Sequence, residues 1–87
     1  ENPRVTHNLA IAYWQSNRVE DAVRSFEQSI RMQPNNPEFL QRISELLAQN
    51  DRWSDALPYL RRLVLLVPNE PSFKSLFEEA KRQLGVR

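Results

Sequence analysis

Slid along itself by about 34 residues, the chain brings its prolines into register, Pro3 with Pro37 and Pro71, and Pro34 with Pro68. Ala22 and Ala56 coincide under the same shift. A fixed period of this length marks an array of repeated helical units, each unable to bury its apolar face alone and obliged to stack on the next. Such an array works through surfaces, so function is expected on a groove or face rather than in a catalytic pocket.

The pairs Asn2-Pro3, Asn36-Pro37 and Glu70-Pro71 each precede helical spacing, and proline at the first helical position loses nothing because its N–H would have no intrahelical partner. Val5, Leu9, Ala12, Tyr13 and Ser16 form the expected inward stripe of the first helix, and Phe39, Ile43, Leu46 and Leu47 that of its counterpart. Matched breaks follow at Asn17-Arg18-Val19 and Asp51-Arg52-Trp53, where Asn and Asp tolerate the left-handed backbone that a tight helix end needs. Second helices then carry Ala22, Val23, Phe26, Ser29 and Ile30, and Ala56, Leu57, Leu60, Leu63 and Val64, closed by Pro34 and Pro68. Pro58 fits the first turn of its helix if Ser54 or Asp55 is the cap. A last helix runs from Pro71 to Leu84 with the stripe Phe73, Leu76, Phe77, Ala80 and Leu84, and Gly85 stops it.

Composition removes several classes of function. The 87 residues carry 12 basic and 11 acidic side chains, interspersed, so no basic stripe for a nucleic-acid backbone exists. Without cysteine there are no disulfides, thiolate metal sites or cysteine nucleophiles, and the compartment stays open. The aliphatic run Leu63 to Val67 is far short of the roughly 20 residues of a membrane span, so a soluble chain, cytoplasmic by default, is expected. No phosphate loop, metal-ligand spacing or nucleophile motif appears, and neighbouring carboxylates such as Glu20 and Asp21 splay apart on a helix. The expectation is a non-enzyme with no cofactor and no metal. A start at Glu1 suggests a piece of a longer protein.

These residues resemble the tetratricopeptide repeat, with its pattern W-x-x-L-G-x-x-Y, A-x-x-x-F and P. The slots are filled by Thr6, Leu9, Ala10, Tyr13, Ala22, Phe26 and Pro34, then by Leu40, Ile43, Ser44, Leu47, Ala56, Leu60 and Pro68. Only Thr6 departs plainly, being small where the pattern is large. The small Ala10, Ser44, Ala22 and Ala56 allow close helix approach while their large neighbours fill the surrounding space. The resemblance implies an all-α, right-handed helical repeat of five helices: one unit over 3–36, a second over 37–70, and a capping helix over 71–84. Glu78 and Lys81 stand where the first two units have Ala10 and Tyr13, then Ser44 and Leu47, which suits a helix that seals the stack. The pentatricopeptide array, which reads single-stranded RNA, is disfavoured by the proline spacing and near-neutral charge.

In the family, first helices line a groove that holds peptides. By that resemblance the groove comprises Arg4, His7, Asn8, Ile11 and Trp14, then Glu38, Gln41, Arg42, Glu45 and Gln49, then Ser72, Ser75 and Glu79. Gln41 and Arg42 lie centrally, where an amide and a guanidinium fork could hold a carboxylate or peptide backbone. The slots of the family's carboxylate clamp hold His7, Ile11, Arg42, Ser72 and Leu76, so the clamp is incomplete and an acidic chaperone tail is not expected. The reading is a protein or peptide interaction module, with no nucleic acid and no membrane as partner. Homo-oligomerisation through the N-terminal face, where Ile11 and Trp14 look incompletely covered, is the alternative. The apolar run of the fourth helix reads mainly as core, with any exposed Leu65 or Val67 marking a contact on the convex side.

Overall fold

The computed structural model describes residues 2–86. Five helices follow one another, α1 (Pro3–Gln15), α2 (Val19–Met32), α3 (Pro37–Gln49), α4 (Trp53–Leu66) and α5 (Pro71–Leu84). Among the described residues no strand occurs, and no helix is long and apolar enough to cross a membrane.

Local chemistry sets the boundaries. The Asn2 side chain accepts from the Arg4 amide at 2.9 Å, and Asn36 Oδ1 accepts from the Glu38 and Phe39 amides at 3.0 and 3.3 Å. Each caps a helix whose first residue is proline, so two remedies for unsatisfied N-terminal amides act together. At the far ends, Asn17 and Asp51 adopt φ values of 61° and 58°, and Gly85 one of 70°. The following amides then reach back one full turn, Arg18 to the Tyr13 carbonyl at 2.9 Å and Arg52 to the Leu47 carbonyl at 2.8 Å. Asn17 and Asp51 thus do the work usually given to glycine.

Packing is sequential: α1 on α2, α2 on α3, α3 on α4 and α4 on α5. Ala10, Ala22, Ser44 and Ala56 are fully buried, as the close approach of paired helices requires. Phe26, Leu40, Ile43, Leu46, Leu47, Leu60 and Leu63 fill the space around them. The buried hydroxyls of Ser29 and Ser44 donate to the Phe26 and Leu40 carbonyls of their own helices, each at 2.7 Å. On α5, exposed Glu78 pairs with Lys81 at 3.2 Å, and the half-buried Lys81 ammonium also lies 5.0 Å from the Phe77 ring centre.

Three expectations need correction. In α1 the stripe expected to face inward is largely outside: Val5 is 63% and Leu9 47% exposed, and Ala12 and Ser16 are exposed as well. The helix buries His7 and Ala10, with Tyr13, Ile11 and Trp14 partly covered. The corresponding positions in α3, Phe39 and Ile43, are buried because a preceding helix pair packs on them, and α1 has no such neighbour among the described residues. Leu65 is 76% exposed rather than core. Pro58 lies not in the first turn but in the second, because α4 starts at Trp53 with Arg52 at the cap position.

Inside a helix, proline withholds an amide from the carbonyl four residues earlier, here Ser54, which is exposed and open to water. Pro58→Ala restores that bond and removes the ring's clash. It is expected to raise the unfolding free energy by about 1–3 kcal/mol, read by urea denaturation; an unchanged or lower midpoint would show that α4 has already relaxed around the ring.

Candidate functional site

First helices of successive units run side by side, and the seams between them differ. The α1–α3 seam is fastened along its length. Arg4 donates to both oxygens of Glu38 at 3.0 Å, and its guanidinium lies 5.3 Å from the Phe39 ring centre. The His7 ring stacks on Phe39 at 4.3 Å, and Trp14 Nε1 donates to Gln49 Oε1 at 2.9 Å. Exposed ion pairs are worth little individually, but the bidentate geometry and the ring stack close this seam to a ligand.

No hydrogen bond or ion pair joins α3 to α5 among the described residues. Between them lies a cleft of about 550 Å³, with Gln41 and Glu45 on one wall and Ser72, Ser75, Glu79 and Arg82 on the other. Leu63 of α4, Phe73 and Leu76 form its apolar base. The repeat offset explains why the seam stays open. Phe73 is the counterpart of Phe39, and the residues placed to cover it are Glu38 and Gln41, the counterparts of Arg4 and His7. Glu38 is held by Arg4, and Gln41 donates to Glu45 at 3.1 Å along its own helix. Ser72, opposite, is short and donates to Glu70 at 3.2 Å.

The cleft therefore gathers Gln41, Glu45, Ser75 and Glu79 from the expected groove, and leaves His7, Asn8, Ile11, Trp14 and Arg42 out of its lining. His7 is a correction: it is fully buried, against Phe39 and, edge-on at 5.3 Å, Phe26, and so does not line a groove. Ile11 and Trp14 are partly buried against the core, with Trp14 edge-on to Phe26. Asn8 is exposed on α1. Arg42 is exposed and turned along its helix, 3.9 Å from Glu45. Along the chain, Phe73 and Leu63 read only as core stripe. Their counterparts in the shift, Phe39 and Ser29, are buried, and the signal that Phe73 would stand open was the chemistry of Glu38 and Gln41 rather than its own type.

Charge in the cleft is mixed and net negative. Arg82 and Gln83 both donate to Glu79, and these bonds, Gln83 first, hold its carboxyl below the usual range. At the closed seam, Arg4 holds the Glu38 carboxyl below its usual range in the same way.

A family model described as tetratricopeptide repeat matches residues 7–71. Two solved structures, described as MamA MSR-1 C2 and MamA RS-1 ArsTM double mutant, are similar with a TM-score of 0.87 each and 22% identity. The matches cover 98% and 94% of this chain, but 49% and 46% of those chains. The chain thus spans about half the length of the structures it matches, and at this identity the likeness is one of fold. No curated protein matches the sequence.

Neither ring nitrogen of His7 has a hydrogen-bond partner, and burial lowers its pKa from the ordinary 6.5. Glu38, at 3.9 Å, opposes that shift, while Arg4 and Arg42 add to it. A depressed pKa means that the unfolded chain binds a proton at pH values where the folded chain does not. The stability held by neutral His7 is thus complete above about pH 6.5 and is lost as pH falls through the folded value. Unfolding free energy should fall as pH drops below about 6.5, and His7→Phe, which keeps a ring on Phe39, should flatten that slope. Parallel profiles for the two proteins would refute the assignment.

Proposed function

Because the chain belongs to the tetratricopeptide repeat family, we propose that it is a non-catalytic interaction module which presents the α3–α5 cleft to a protein or peptide partner. The observation that carries this reading is the contrast between seams: side chains of the chain itself occupy the contacts between α1 and α3, and the equivalent contacts between α3 and α5 are free. The cleft combines an apolar base with polar walls, the usual make-up of a recognition site. Its walls belong to packed helices, so little ordering is needed when a partner arrives. Gln41, Glu45, Ser75 and Glu79 are the contact residues assigned, with Arg42 at the rim.

A photoreactive side chain placed at Ser75 should cross-link a partner polypeptide in an extract of the source cells, and the same group at exposed Leu65 should not. Adducts from Leu65 alone would move the site away from the cleft.

A second reading, self-association, is favoured by one observation. Val5 and Leu9 are 63% and 47% exposed where their counterparts Phe39 and Ile43 are buried. Under the cleft reading, light scattering over a dilution series gives the monomer mass of 10.3 kDa throughout. A dimer that Leu9→Glu dissolves would establish the second reading.

A further inference from the structure

The closed seam is a worked example, inside the same molecule, of what satisfies such a contact. There a phenylalanine on a first helix, Phe39, is 1% exposed because a flat ring stacks on it and a guanidinium lies over it. Its counterpart Phe73 is partly exposed and has neither, since Gln41 and Glu38 occupy the positions that would supply them and both are engaged elsewhere. The acidic side of the contact is also present. Glu45 accepts one hydrogen bond, from Gln41 to Oε2, while Arg42 at 3.9 Å from Oε1 is too distant to donate. Glu79 stands on the opposite wall, ionised; it accepts from exposed Arg82 at Oε1 and from Gln83 at Oε2, both on its own helix, and each oxygen keeps a further lone-pair site.

On the reading of the cleft as the binding site, we propose that its occupant is a peptide segment pairing a flat apolar side chain with an arginine, the first seated on Phe73 and the second reaching Glu45 and Glu79. Charge complementarity favours this over an acidic peptide: the cleft contributes two carboxylates against the one cation of Arg82, and that cation is committed to Glu79. A ligand arginine can share its donors between two carboxylates, and its planar group can also lie against the Phe73 ring, as Arg4 does with Phe39. In an extended segment residues two apart point the same way, so the ring and the arginine are best placed at that spacing.

The test uses three capped octapeptides of Ser and Gly: one with Phe and Arg two positions apart, one with Glu in place of that Arg, and one with Ser in place of that Phe. Titration into the chain, followed by amide NMR, should show the first peptide shifting Gln41, Phe73 and Ser75, and the other two binding at least about tenfold more weakly. Glu45→Gln combined with Glu79→Gln should weaken the first peptide by about tenfold while leaving thermal unfolding in place. If the glutamate peptide bound the same amides as tightly, the charge assignment would be overturned and the cleft reading would stand. If every peptide that bound shifted only residues outside the cleft, and no adduct formed from Ser75, both would fall. Failure of all three peptides to bind, with adducts still formed from Ser75, would overturn the inference alone.

Discussion

Everything in this molecule rests on the contact between small residues where paired helices meet. Ala10, Ala22, Ser44 and Ala56 are wholly removed from solvent. Their size lets the helix axes come close enough for Phe26, Leu40, Leu47 and Leu60 to interlock around them. Once each pair is fixed, the only apolar surface left for burial lies between pairs, and stacking follows from it. A larger side chain at any of these four positions would have to push two helices apart, with effects on every later contact.

Stacking in turn places first helices side by side, and here the two seams diverge despite sharing one repeat. The α1–α3 seam buries His7 with both ring nitrogens unpartnered, an arrangement that costs desolvation free energy and is offset by the stack on Phe39 and the edge contact with Phe26. The α3–α5 seam spends its polar groups differently. Gln41 donates to Glu45 within α3, and Arg82 and Gln83 donate to Glu79 within α5, so neither helix reaches across. The cleft stays open because side chains that could have closed it are occupied with neighbours on their own helices.

The helices were readable along the chain because their signals are local. Asn2 and Asn36 cap, Pro3, Pro37 and Pro71 start, and Asn17, Asp51 and Gly85 turn the backbone left-handed, each through bonds to residues within a few positions. The stripes of α2 and α3 were readable too, since helices covered on both sides bury their whole apolar face. In α1 the same reasoning misplaced Val5 and Leu9, because apolar periodicity states which face can be buried and not whether anything lies against it. The lining of the cleft was readable in part. Gln41, Glu45, Ser75 and Glu79 occupy groove slots and line the cleft, whereas His7 occupies one and is sealed beneath Arg4 and Glu38.

By itself, then, the sequence determined the period, the helix boundaries apart from the start of α4, the small-residue contacts within pairs and the family to which the chain belongs. These depend on interactions spanning a few residues or on a pattern repeated in register. Tertiary structure alone decided that His7 is core, that Arg42 turns along its helix, and which seam is open. Those outcomes turn on competition among side chains about one repeat apart, in which Glu38 pairs with Arg4 and not with α5, and Gln41 with Glu45 and not with Phe73. No pattern along the chain states which of two reachable partners a side chain takes, because the choice is made by distances that exist only once the helices have stacked.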